Sequence, residues 1–162
     1  MEIEKKKYSK ITISALQTKK IGIQLCQKII NRLLNKETQK YIIILEGQIG
    51  SGKTILTKGI AKELGIKSEI NSPSFILLKT YTNAFNKLHH LDLYRLLNEQ
   101  KTTKHLIIEI EELLENVEQG DIIVIETNQN IKSFFEDWDV YIKINVLNSK
   151  TRNILIEQKN KF

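Results

Sequence analysis

A chain of 162 residues with 41% apolar side chains can bury one core and is too short for two domains of ordinary size. Its formal charge of +6 comes largely from lysines scattered along the chain, with Arg32, Arg95 and Arg152 the only arginines; planar phosphate clamps and base readout favour arginine, so tight direct nucleic-acid binding is disfavoured. Cys26, the only cysteine, excludes an intramolecular disulfide and fits a reducing compartment; no apolar stretch follows Lys5, Lys6 and Lys7 or approaches a membrane span, so the expectation is a soluble, cytoplasmic protein without a membrane partner.

In chain order, Tyr8 to Ile13 alternates like a strand, with Ile11 and Ile13 on one side, and Ser14 offers a helix cap. From Ala15 to Leu34, Leu16, Ile21, Leu25, Ile29 and Leu33 fall near helical spacing, with Cys26 a buried thiol among Leu25, Ile29 and Ile30, although Gly22 weakens the middle of the helix. Asn35 to Lys40 is a polar loop. The apolar run Tyr41 to Leu45 predicts a buried strand, and Ile55 to Leu64 a helix with Gly65 as a left-handed cap. A polar loop carrying Pro73, the only proline, leads to a hairpin of Phe75 to Tyr81 and Leu88 to Tyr94 around a turn at Thr82 to Lys87. Lys101 to Glu118 reads as helical, most clearly from Ile108 to Leu114, and closes at Gly120 and Asp121. Ile122 to Ile125 is β-branched throughout, hence a central strand, and stops at Glu126. Asp139 to Val146 alternates, and Ile154 to Ile156 predicts a last strand. The order describes an α/β protein, one domain over residues 1–162 with a mostly parallel central sheet flanked by helices.

Gly47, Gln48, Ile49, Gly50, Ser51, Gly52, Lys53 and Thr54 fit G-x-x-x-x-G-K-[ST] at every required position, between a strand and a helix as that motif demands. The glycines let the backbone curl with its N–H groups inward, toward the charge of a triphosphate at a helix N-terminus. Lys53 then reaches the β and γ phosphates and Thr54 offers a hydroxyl to Mg²⁺. The metal also needs an acid at the end of a neighbouring strand. Glu126 qualifies, or else marks where a buried strand meets solvent; Asp92 qualifies, or else is a surface strand residue. Ser72 and Ser74 flank Pro73 where nucleotide switches contact the γ-phosphate, or in a plain turn. His89 and His90, with only His105 besides and one cysteine, form no zinc set at useful spacing and read as structural or solvent-exposed.

Taken together, the loop Gly47 to Thr54, then Asn71-Ser72-Pro73-Ser74-Phe75, then His90-Leu91-Asp92-Leu93-Tyr94-Arg95-Leu96, then Val124-Ile125-Glu126 resemble the TsaE family, also called YjeE, over about residues 14–156. The resemblance implies a single-domain P-loop ATPase that uses ATP and Mg²⁺ in making N6-threonylcarbamoyladenosine at position 37 of tRNA. It implies partnership with TsaD and TsaB, docking on their dimer, with tRNA contacted only indirectly. By similarity, Lys53 and the loop with Ile55 bind phosphates, Thr54 and Glu126 hold Mg²⁺, Asp92 acts at the metal or the attacking water, and Ser72 to Ser74 form the switch. Thr18 and Arg152 match family residues toward the nucleoside end. The chain departs from the family in Gln48, Ile49 and Ile55, in residues 98–110, and in Thr127, which stands where the family usually has Trp; Trp138 lies too far along to replace it. A small-molecule kinase and a nucleotide-dependent binding switch with little hydrolysis stay open beside the ATPase, the scarcity of arginine counting against the kinase.

Overall fold

The computed structural model describes residues 5–35, 40–73, 78–94, 103–133 and 135–159. Their elements run β1 (Lys5–Thr12), α1 (Ala15–Leu34), β2 (Tyr41–Glu46), α2 (Lys53–Glu63), β3 (Leu78–Thr82), β4 (Lys87–Asp92), α3 (Thr103–Glu115), β5 (Ile122–Thr127), β6 (Val140–Val146) and β7 (Arg152–Lys159). The described strands form one sheet in the order β1-β7-β6-β2-β5-β4-β3. Its middle, β6-β2-β5-β4, is parallel throughout, and β7, β1 and β3 extend it antiparallel at the two sides. The mixed α/β class read from the sequence is the one observed.

β2 and β5 read as unbroken apolar runs because they lie at the centre with both faces covered; every residue of each is buried. On one face, Ile43, Leu45, Val124, Val140 and Ile142 pack against Leu25, Cys26 and Ile29 of α1 and Leu56 and Ile60 of α2. On the other, Ile42, Ile44, Ile123 and Ile125 meet Ile110 and Leu114 of α3, closed by Phe135 and Trp138. Trp138 is thus a core residue, edge-on to Tyr141 with ring centroids 5.8 Å apart. Cys26 is fully buried, and burial together with the nearby Glu63 pushes its thiol up to about 12. Only the thiolate attacks electrophiles, so a thiol reagent at pH 8 is expected to leave the folded protein unlabelled and to label it once urea unfolds it. Rapid labelling without denaturant would show that α1 opens locally.

Ser14 caps α1 by accepting from the Gln17 backbone N–H at 3.2 Å, and the Gln17 side chain accepts from the Ile13 N–H at 2.9 Å. Gly22, a weak helix residue in isolation, sits where α1 crosses α2. A Cβ there would come within 2.1 Å of the Leu56 carbonyl oxygen, and one at Gly59 of α2 within 2.1 Å of the Lys19 carbonyl oxygen. The crossing brings the two backbones together and holds the phosphate-loop helix against α1.

Three local expectations change. Ile11 and Ile13 do share a side, but it faces solvent, at 58% and 60% exposure, while Thr12 is buried; the β1 side that carries Tyr8 packs toward α1, and α3 with its companions covers other strands. The last strand runs from Arg152 to Lys159 instead of only Ile154 to Ile156, and the first begins at Lys5, because the two pair over their whole length from Lys5 with Lys159 to Thr12 with Arg152. Ladder hydrogen bonds carry the pairing into charged residues that hydrophobicity alone would leave out. The second hairpin strand ends at Asp92. Among the described residues, no helix is long and apolar enough to cross a membrane.

Candidate nucleotide site

The loop is hung between two strands. Beyond β2 the Gly47 N–H donates to the Thr127 carbonyl at 2.9 Å, so the end of β5 fixes where the loop begins. A Cβ at Gly47 would lie 2.5 Å from Ser51 Oγ and 3.0 Å from the Ile144 carbonyl oxygen, and this close approach requires glycine. Gly52 has φ of +112° and forms the N-terminal cap of α2 without any side-chain capping bond. The first N–H groups of that helix are therefore left for an anion. Ser51 is fully buried and Ile49 is 71% exposed at the loop tip.

Lys53 folds back over this turn, its Nζ donating to the Gly47 carbonyl at 2.6 Å and the Gln48 carbonyl at 3.0 Å. Burial lowers the ammonium below its ordinary value, while Glu126 and Asp92 pull it back up. Both carboxylates are therefore electrostatically close to the loop cation.

Glu126 is buried and reaches α2 from the end of β5. Its Oε2 accepts from Thr54 Oγ1 at 3.2 Å; its Oε1 is 2.7 Å from His90 Nε2 and 3.2 Å from Thr57 Oγ1, whose one proton is shared with the Lys53 carbonyl oxygen at 3.1 Å. Asp92 pairs in register with Glu126 across the β4–β5 ladder. It accepts from Ser72 Oγ at 2.8 Å and from the Tyr94 backbone N–H at 3.0 Å. Ser72 thus ties the segment after α2 to the acid beside the loop. Ser74 lies outside the described residues.

Beside the loop a cleft of about 590 Å³ is lined by Ile13, Ala15, Thr18, Gly50, Gly52, Ile55, Lys150 and Arg152, among others, within the usual size range of small-molecule sites. Thr18 Oγ1 is 3.0 Å from Thr12 Oγ1 and donates to the Ser14 carbonyl at 3.3 Å, which leaves its methyl toward Gly52. Arg152 donates through Nε to the Ser51 carbonyl at 3.0 Å and through its terminal nitrogens to Gly50 and Asn148 carbonyls at 3.4 and 2.8 Å. It braces the loop against the β6–β7 turn as well as lining the cleft. Thr127 is buried with its hydroxyl accepting from the Gln129 N–H and donating to the Gln129 carbonyl, so this side chain closes the turn after β5.

The structure brings Lys53, Thr54, Ser72, Asp92 and Glu126 to one end of the sheet and Thr18, Ile55 and Arg152 along the adjoining cleft. Two members escaped the sequence reading. Thr57 lies three residues after Thr54 and so on the same helix face, and His90 lies two before Asp92 and so on the same strand face. Of the structural or solvent-exposed roles expected for the two histidines, His90 takes the structural one: it is fully buried, 2.7 Å from the Glu126 carboxylate. His89 points to the other face and pairs with Asp121 at 2.8 Å.

A glycine loop closing a parallel strand onto an uncapped helix, with an acid-tipped neighbouring strand reaching the loop's Thr, defines a P-loop NTPase-type protein. The model of a family described as "Threonylcarbamoyl adenosine biosynthesis protein TsaE" matches residues 14–154. The chain belongs to this TsaE family, whose role lies in tRNA threonylcarbamoyladenosine biosynthesis. The tRNA threonylcarbamoyladenosine biosynthesis protein TsaE of Treponema pallidum is 31% identical over 133 residues, 79% of this chain and 87% of that protein. The protein of the same name from Bacillus subtilis is 43% identical over 60 residues, 37% of this chain and 38% of its own length. The crystal structure of Bacillus subtilis YdiB has the same fold, with a TM-score of 0.64 at 22% identity, covering 98% of this chain and 90% of the other.

Proposed function

We propose that the protein binds and hydrolyses Mg-ATP in support of N6-threonylcarbamoyladenosine formation at position 37 of tRNA, working with TsaD and TsaB. The observation that carries this reading is the convergence of Thr54, Glu126 and Asp92 beside the Lys53 loop. These are hard oxygen donors, Asp92 and Glu126 at the ends of the parallel strands β4 and β5 and Thr54 in the first turn of α2, the set that suits Mg²⁺ rather than a softer metal. The uncapped α2 N-terminus and the Lys53 ammonium suit the phosphates. When bound, Mg²⁺ supplies charge neutralisation on the β and γ phosphates. In this reading Thr54 Oγ1 and Glu126 Oε2 hold the ion, directly or through water. The loop amides and Lys53 hold the phosphates, Lys53 exchanging its two carbonyl partners for phosphate oxygens. Asp92, held by Ser72 and the Tyr94 N–H, accepts a hydrogen bond from water at the metal or from the attacking water. Thr18, Ile55 and Arg152 with the rest of the cleft take the nucleoside end.

The docking surface is proposed to include Ile13, Leu16 and Ile49. All three are exposed on the segments that build the cleft and the loop tip, apolar surface that a partner would cover. Against a kinase stands the use of the arginines: Arg152 is committed to backbone carbonyls and Arg32 lies 6.0 Å from the centroid of the Tyr41 ring. Of the two arginines among the described residues, neither is aimed at a second phosphate position; Arg95 lies outside the described residues. The test is phosphate release from Mg-ATP with and without TsaD and TsaB. Slow release by the protein alone and faster release with both partners is the expected result. Partner docking that depends on nucleotide, with no release over hours, would leave a binding switch instead.

A further inference from the structure

The buried carboxylate of Glu126 is held asymmetrically. Oε1 faces His90 Nε2 at 2.7 Å and Thr57 Oγ1 at 3.2 Å, the Thr57 hydroxyl sharing its one proton between Oε1 and the Lys53 carbonyl oxygen at 3.1 Å, whereas among the described residues Oε2 receives Thr54 Oγ1 alone, at 3.2 Å. His90 is fully buried, and no group among the described residues hydrogen-bonds its other ring nitrogen, Nδ1. A carboxylate oxygen accepts, so the ring nitrogen that faces it, Nε2, is assigned the proton. His90 stands two residues before Asp92 on β4, the strand paired in register with β5, so the sheet fixes where its donor points.

We propose that His90 is a positioning residue. By filling Oε1 together with Thr57, it fixes the rotation of the Glu126 carboxylate so that Oε2, beside Thr54, is the oxygen presented to Mg²⁺. This rests on the Mg-nucleotide reading above. It assigns to this His the task performed elsewhere by hydrogen-bond partners that orient a metal-binding group without touching the metal. The α2 threonines divide the same carboxylate: Thr57 belongs to the fixed oxygen and Thr54 to the presented one.

The test is calorimetric binding of a non-hydrolysable ATP analogue to the full chain, once in EDTA and once across a Mg²⁺ titration, with melting curves on the same samples. For His90→Leu the gain in affinity that Mg²⁺ confers is expected to fall about tenfold, while affinity in EDTA stays within about twofold, a shift too small for a lost phosphate contact. His90→Gln, whose amide can donate from a similar position, is expected to recover most of the gain. Thr57→Val is expected to lose part of it in the same direction, and carries the test if His90→Leu does not fold. An unchanged Mg²⁺ gain in His90→Leu, or in Thr57→Val when the leucine variant is lost, overturns the proposal. So does an equal loss of affinity with and without Mg²⁺, which would mark a purely structural histidine. Failure of the unaltered protein to bind the analogue in either buffer overturns the nucleotide reading itself and is distinct from those outcomes.

Discussion

Glu126→Gln is expected to lower ATP hydrolysis in the presence of TsaD and TsaB by about 10²- to 10³-fold, the cost of removing one charge-stabilising group from a preorganised site, with little change in melting temperature. The substitution keeps the size of the side chain and one acceptor. His90 Nε2 lies 2.7 Å from where Oε1 sits, with the shared Thr57 hydroxyl at 3.2 Å, so the amide carbonyl takes that place and the NH₂ is turned toward Thr54. A donor then stands where an acceptor for Mg²⁺ is needed. Lys53→Ala is expected to lose hydrolysis to a similar degree by a different route. It removes the cation that lies over the loop and frees the Gly47 and Gln48 carbonyls it binds, so nucleotide affinity falls with and without Mg²⁺. Hydrolysis unchanged in Glu126→Gln would take Glu126 out of the site and leave the end of β5 a plain boundary between strand and solvent.

The largest effect on stability is expected away from the site. Gly59→Ala should destabilise the fold by about 2–3 kcal/mol: overpacking costs as much as ~3 kcal/mol, and the better helix propensity of alanine returns up to about 1. The new Cβ would lie 2.1 Å from a backbone carbonyl oxygen of α1, which cannot rotate aside as a side chain would, so the helices must separate. Gly22→Ala meets α2 in the same way and should behave alike, while Lys62→Ala, exposed on α2, should stay within about 0.5 kcal/mol. Urea unfolding of the three variants measures this. A Gly59→Ala protein as stable as the unaltered chain, or more so, would mean that helix propensity wins and the backbones are not in contact. Because α2 opens at Gly52 directly after the loop, separation should also weaken nucleotide binding without any change at the site itself.

How these parts became visible follows from how local each signal is. The loop is a contiguous motif, and its glycines, Lys53 and Thr54 stand in one turn, so spacing alone located them. β2 and β5 announced themselves because strands covered on both faces must be apolar at every position. Glu126 and Asp92 were readable as candidates because each closes such a run with a charge. The position of Thr127, in contrast, said only that an aromatic was missing; the structure shows a hydroxyl that closes a turn.

Chain order and local pattern therefore settled the α/β class, the phosphate loop and the family, since these depend on residues that are neighbours in sequence or that recur at a fixed period. The partnership of Glu126 with Thr54, Thr57 and His90 was decided only by tertiary structure, because it spans residues 36 to 72 positions apart that meet when β4 pairs with β5 and α2 packs on both. The same holds for Gly22, whose local cost in a helix becomes a requirement once α2 crosses at backbone contact, and for the length of β1 and β7, which each strand's own hydrophobicity understates and their mutual hydrogen bonding extends. Pairing and packing are properties of two segments at once, so neither segment's residues display them alone.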